Sequence, residues 1–172
     1  LREALLTRQD RSVVTRPSRP RSLPALLDET SKRIIEQLQE DGRRAYASIG
    51  KAVGLSEAAV RQRVQRLLDG GVMQIVAVTD PLQVGFSRQA MIGIKVSGDM
   101  VEVADRLAQL PEVDYVVVTA GSFDILVEVV CEDDDHLLEL VTQQIRALPA
   151  VDSTETFVYL KLRKQLYNWG TR

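Results

Sequence analysis

At 172 residues, 45% hydrophobic and 27% charged, the chain has the composition of an ordinary globular protein, and no apolar run approaches the roughly 20 residues that cross a bilayer, which excludes fibres and membrane-spanning proteins. Its lone cysteine, Cys131, and lone histidine, His136, cannot supply a disulfide framework, a zinc cluster or most nucleophile-base pairs; no enzyme activity, cofactor or metal is expected, and a reducing, cytoplasmic setting is. Charge says more: residues 1–27 hold 6 Arg against 2 acids while residues 72–172 hold 8 basic and 15 acidic residues, a polyanion-binding front end ahead of a body that repels nucleic acid.

Residues 1–27 read as a basic flexible arm. Pro17, Pro20 and Pro24 interrupt six arginines, no hydrophobic period is sustained, and only Leu5 and Leu6 allow a short helix from Arg2 to Arg8. The arginines are scattered instead of preceding an apolar stretch, so the segment does not read as a signal peptide. It is either a DNA-contacting extension or a solvated tail. Residues 28–71 read as a helix-turn-helix (winged-helix-like) domain. Asp28 is a good N-cap for a helix over Glu29 to Asp41 with the stripe Ile34, Ile35 and Leu38. Ile49, Ala52 and Val53 mark a second helix that stops at Gly54; a third begins at Ser56, carries Val60, Val64, Leu67 and Leu68, and ends at Gly70 and Gly71. The last two are joined by the short turn Gly54-Leu55-Ser56, the layout of a DNA-binding unit.

At Met73 the period changes. Met73 to Val78 is rich in β-formers and reads as a hinge strand, with a turn at Asp80-Pro81, inside a linker spanning residues 72–88. Residues 89–172 follow as strand (Gln89 to Val96), helix (Met100 to Leu110), strand (Val113 to Ala120), strand (Asp124 to Val130), helix (Asp133 to Leu148) and strand (Ser153 to Leu162). This βαββαβ order predicts an α+β, ferredoxin-like domain, an antiparallel sheet with both helices on one face. In such a sheet alternate strand residues should be polar, yet Val116 to Val118 and Ile125 to Val127 are continuous apolar runs. Two apolar faces predict a homodimer packed sheet to sheet, unless some of these residues lie under the hinge strand.

With Val60 as origin and about 100° per residue, Val64 and Leu67 share the core face of the third helix, whereas Ala58, Gln62, Gln65 and Asp69 face away, flanked by Arg61 and Arg66. The small Ala58 lets the helix enter a major groove, Gln62 and Gln65 can address adenine edges, and Arg61 and Arg66 can reach guanine or phosphate. Ser56 caps the helix and can donate to phosphate, while Arg63, nearer the core, reads as a structural ion-pair partner. The plainer reading of this face is a solvated one; the preceding helix, tight turn and basic arm favour double-stranded DNA. Elsewhere, Glu132 to Asp135 reads as an acidic helix cap, His136 has no ligand partners at useful spacing, and Trp169 reads as an aromatic anchor packed on the body or on a neighbour.

Leu27-Asp28, Ile34-Ile35, Leu38, Asp41-Gly42-Arg43, Val53-Gly54-Leu55-Ser56, Val60, Arg63-Val64, Arg66-Leu67, Gly71-Val72 and Asp80-Pro81 followed by Gly85 resemble, in this order, the Lrp/AsnC family of feast/famine regulators. The match continues through Val116 to Asp124, close to the family's V-x-G-x-x-D loop, and through Thr154-Glu155-Thr156, so it covers about Leu27 to Arg172. Ser31 stands where the family usually has an acid, and the arm is longer than usual. The resemblance implies a DNA-binding head, a hinge strand and an effector domain that dimerises and often assembles to tetramers or octamers, with an amino acid bound near the hairpin between the domain's second and third strands. Here that hairpin offers the Gly121 and Ser122 N–H groups to a carboxylate, the Thr119 and Ser122 hydroxyls, and Asp124 to an ammonium group; Ala120 and Thr156 complete the expected effector site. Read without the family, Asp124 merely satisfies a glycine-containing hairpin. The expectation is thus an oligomeric transcription regulator responsive to an amino acid. Its alternative is an architectural DNA-wrapping protein with no effector response, and a ferredoxin-like enzyme is disfavoured because no acid/base pair is present.

Overall fold

The computed structural model describes residues 27–171, so the expected arm, with its helix at Arg2 to Arg8, lies outside the described residues apart from Leu27. The described chain forms two compact units, one of residues 79–162 and one of residues 27–78 together with 163–171.

The second unit begins with three helices whose ends are dictated locally. Helix α1 (Glu29–Glu40) starts at Asp28, whose carboxylate accepts the Ser31 N–H at 2.7 Å. Helix α2 (Tyr46–Val53) stops at Gly54, which adopts φ of 77°, a left-handed conformation that suits glycine. Helix α3 (Glu57–Asp69) is capped by Ser56, whose hydroxyl accepts the Ala59 N–H at 3.2 Å. Helices this short are marginal alone. They are held by a shared core of Ile34, Leu38, Ile49, Val60 and Val64, each such side chain contributing about 1.5–3 kcal/mol on burial. The expected hinge strand is not formed: residues 73–78 are assigned to no strand, and no β wing follows α3 among the described residues. A strand exists by pairing, and among the described residues of the same copy no strand is registered against this segment. Ile75, Val76 and Val78 stand exposed in consequence.

The other unit contains β1 (Arg88–Val96), α4 (Met100–Leu107), β2 (Val113–Val118), β3 (Ile125–Cys131), α5 (Asp134–Glu139) and β4 (Val151–Val158). Its sheet has the order β2-β3-β1-β4, antiparallel throughout, as a ferredoxin-like arrangement requires. Ala90, Ile92, Ile94, Ile125, Val127 and Val129 face the helices and pack with Val103, Leu107, Leu137, Leu140 and Ile145. The helix expected over Asp133 to Leu148 changes character midway: after α5, Leu140–Ile145 is π-helical, with the Arg146 N–H on the Val141 carbonyl at 3.0 Å. The wider turn lets Leu140 and Ile145, five residues apart and both fully buried, share the core face; an α-helix would separate them by about 140°. Strand β4 stops at Val158 and not at Leu162, because Tyr159 makes the last bond, to the Gln89 carbonyl at 2.8 Å, where β1 runs out.

The second face of the sheet departs from expectation. Pleating sends Val116, Ile125 and Val127 to the helix side and leaves Val117 and Leu126 on the open side, where they alternate with Gln89, Lys95, Glu128 and Glu155 beside Met91 and Phe157. That face is amphipathic and not wholly apolar. Gln89 Nε2 donates to Glu128 Oε1 across it at 2.8 Å.

Candidate DNA-binding helix and effector hairpin

On α3, Ser56, Ala58, Arg61, Gln62, Gln65 and Arg66 are all exposed, while Val60, Val64 and Leu67 are buried. Their freedom differs. Arg61 pairs with Glu57 one turn back at 2.9 Å, and its guanidinium lies 5.2 Å from the centre of the Tyr46 ring, a cation–π contact that leans it toward α2. Gln65 Nε2 donates to Asp69 Oδ1 at 2.7 Å. Ala58, Gln62 and Arg66 make no side-chain hydrogen bond to another described residue, and they line the helix face turned away from the core.

Arg63 is the structural partner its position predicts. Its Nη1 donates to Asp28 Oδ2 at 2.6 Å and to the buried Ser31 hydroxyl at 3.1 Å. The Ser31 N–H and the Arg63 guanidinium together pull the Asp28 pKa from its ordinary 3.8 to about 2. Ser31 therefore contributes a small buried hydroxyl to the guanidinium. Gly50, not singled out by the periodicity, sets how closely the turn approaches α2: a Cβ there would lie 2.5 Å from the Leu55 carbonyl oxygen. A glycine inside a short helix was the available signal. Arg33, also unanticipated, donates to the Ala52 carbonyl at 2.6 Å and so caps the end of α2.

The β2–β3 hairpin is tied down by the polar residues expected to grip a ligand. The Thr119 N–H donates to the Asp124 carbonyl at 2.8 Å, and its hydroxyl to the Phe123 carbonyl at 2.6 Å. The Asp124 carboxylate accepts the Val96 N–H at 3.0 Å, and its own N–H donates to the Ile94 carbonyl at 2.9 Å. Ala120, Gly121 and Ser122 stay exposed at the tip. Thr156 is not brought to them: β4 is separated from β3 by β1, and Thr156 registers with Ile92 on the helix side. Phe123, missed in the sequence, lies flat over Gly93, where a Cβ would stand 2.6 Å from the ring. It meets Phe157 edge to face at 6.1 Å between centroids.

His136 does have a partner, Glu112, with Nε2 3.1 Å from Oε1, while Nδ1 accepts the Glu132 N–H at 3.3 Å. Burial pushes the Cys131 thiol up to about 11, which leaves it protonated and unreactive. Asp133 caps α5 by accepting the His136 N–H at 2.8 Å, and Asp134 forks onto Arg88. Among the described residues, no three His, Cys, Asp or Glu side chains converge as metal ligands, and no helix is long and apolar enough to cross a membrane.

Residues 27–68 match the AsnC-type helix-turn-helix domain, and residues 86–172 match a C-terminal dimeric alpha+beta barrel domain of AsnC-type regulators. An uncharacterized helix-turn-helix transcriptional regulator of Pyrococcus furiosus is 35% identical over 147 residues, covering 84% of this chain and 97% of its own. The structure of AsnC from Escherichia coli superposes with a TM-score of 0.71 at 26% identity, covering 82% of this chain and 97% of that one. A transcriptional regulator of Neisseria meningitidis, solved as a complex with L-Met, superposes with a TM-score of 0.72 at 25% identity, over 83% of this chain and 95% of that one.

Proposed function

The chain belongs to the Lrp/AsnC family of helix-turn-helix transcriptional regulators, and on that premise we propose that it reads specific DNA sequences and that an amino acid tunes its assembly and its DNA affinity. The family consists of regulators, not enzymes, so the chemistry required is recognition. The observation that carries the DNA half is the capped helix α3, whose outward face leaves Ala58, Gln62 and Arg66 exposed and uncommitted. Gln62 reads an adenine edge in the major groove, Arg66 and Ser56 hold phosphate, and Arg61 and Gln65 join by giving up their intrahelical partners.

For the effector, the L-Met complex of the Neisseria regulator supplies the ligand class. The exposed N–H groups of Gly121 and Ser122 receive the carboxylate beside Ala120. Asp124 and Thr119 hold the hairpin in shape, and Thr156 joins only from a neighbouring copy at a junction between dimers. A ligand bound there shifts the assembly by no more than its differential affinity for the two geometries. Calorimetric titration of the twenty amino acids into the protein, with operator affinity measured at saturation, tests this. One or a few should bind and change DNA affinity, and Asp124→Ala should abolish that change while ligand-free DNA binding persists. A specific observation favours a second reading, an architectural DNA-wrapping protein: the side chains of Thr119 and Asp124 are already engaged inside the hairpin. Intact DNA binding with no amino acid bound would select it.

A further inference from the structure

Helix α3 begins with an acid, although it is the element that has to approach a polyanion. Glu57 is its first residue, exposed, and the one acidic residue of its first two turns, with Asp69 at the far end. Its carboxylate accepts Arg61 Nη2 at 2.9 Å; the capping bond, from the Ala59 N–H, goes to the Ser56 hydroxyl instead. Arg61 is held from a second side by the Tyr46 ring, whose centre lies 5.2 Å from its guanidinium. The bland account of such a pair is helix stability, because an acid suits a helix N-terminus and pairs well with a base four residues on. With Glu57 53% and Arg61 65% exposed, however, water screens the pair and it contributes little to the fold. What it decides is the surface offered to DNA. Arg61 is withheld, and drawing it off to a phosphate or a guanine leaves a bare carboxylate against the duplex.

We propose that Glu57 is a specificity-determining residue of α3, which releases Arg61 to the DNA only where a cytosine amino group takes the place of Arg61 on its carboxylate. This deepens the reading of α3 as a sequence-reading helix and rests on it. The N-terminal residues of a recognition helix are the ones brought to base edges in the major groove. A carboxylate there is repelled by phosphate and by the acceptor edges of guanine and thymine. It is matched by the N4 amino group of cytosine, whereas the adenine amino group stands beside the N7 acceptor and suits an amide such as Gln62. Glu57 therefore discriminates by exclusion: over guanine or thymine its carboxylate is stripped of water without gaining a partner, which costs more than a missing attraction. Arg61, once freed, binds a neighbouring guanine or phosphate, so the two side chains act together on one stretch of sequence.

The test is selection from a pool of randomised DNA duplexes by the full chain, followed by titration of the selected duplex and its single-base variants. Wild type should prefer cytosine at one position. In Glu57→Ala that preference should fall by at least about fivefold, through tighter binding of duplexes carrying another base there. In Glu57→Gln it should move toward adenine, the base an amide addresses. Arg61→Ala should weaken binding while the preference for cytosine persists. Base preferences unchanged in both Glu57 variants overturn the proposal. So does an equal loss of affinity on every duplex, which makes Glu57 a helix-stabilising acid and nothing more. Disappearance of the cytosine preference in Arg61→Ala also overturns it and assigns the position to Arg61 reading the paired guanine. If wild type selects no sequence from the pool, the reading of α3 itself fails and the proposal falls with it.

Discussion

Arg63 and Arg66 sit one turn apart on α3, yet only the first is spent on the fold. Arg63 ties α3 to the start of α1 through Asp28 and Ser31, whereas Arg66 stands in solvent. On the proposed reading, Arg66→Ala weakens binding to many sequences together and flattens its salt dependence. Gln62→Ala instead relaxes preference at one base by roughly 1–3 kcal/mol. Equal losses on every sequence from both changes would remove Gln62 from the readout. The Asp28 contact has its own signature in acid. Because the folded state holds the Asp28 pKa near 2, below the ordinary 3.8, its contribution is complete above 3.8 and disappears as pH falls toward 2. Thermal melts of wild type and Asp28→Asn should therefore differ most above that window and converge through it; a gap independent of pH would show that charge on Asp28 contributes nothing.

Elements here are positioned by close approaches as much as by periodicity. The turn before α3 packs over Gly50 so closely that Gly50→Ala places a Cβ against the Leu55 carbonyl, a backbone atom that cannot swing aside. That variant should lose about 1–3 kcal/mol in denaturant unfolding and weaken DNA binding with it, since α3 must shift relative to α2. Unchanged stability would mean that the turn yields freely. At the other unit, Phe123 lies on Gly93 by the same logic and draws the hairpin across β1 toward Phe157. The π-helical turns after α5 are a third case, in which core contact by both Leu140 and Ile145 overrides regular α geometry.

For the molecule as a whole, the α+β unit buries a complete core drawn from its own strands and helices, with nothing borrowed from α1, α2 or α3. Deletion of residues 1–71 should accordingly leave a folded domain that still dimerises at micromolar concentration, because the open sheet face remains. A monodisperse folded monomer in the ultracentrifuge at that concentration would sink the prediction. The open face carries charge as well as apolar groups, so its dimer should weaken as salt rises if Lys95 pairs with Glu128 or Glu155 across it.

The amino-acid sequence by itself determined what depends on near neighbours: the helical stripes, the Asp28 and Ser56 caps, the Gly54 stop, the βαββαβ order and the outward face of α3. Each follows from spacing within a turn or a pleat, and a pattern of that range is visible in a linear chain. What depended on distant partners was decided only in three dimensions. Met73 to Val78 has the composition of a strand, but no strand among the described residues of the same copy is registered against it. Asp124 reads as a ligand group but finds the Val96 N–H, and Thr156 shares a motif with the hairpin but is kept from it by β1. His136 has no partner at useful spacing and is met instead by Glu112, 24 residues away. In every case the residue type was legible and its partner was not, because pairing, register and contact are properties of the folded chain and local spacing carries no record of them.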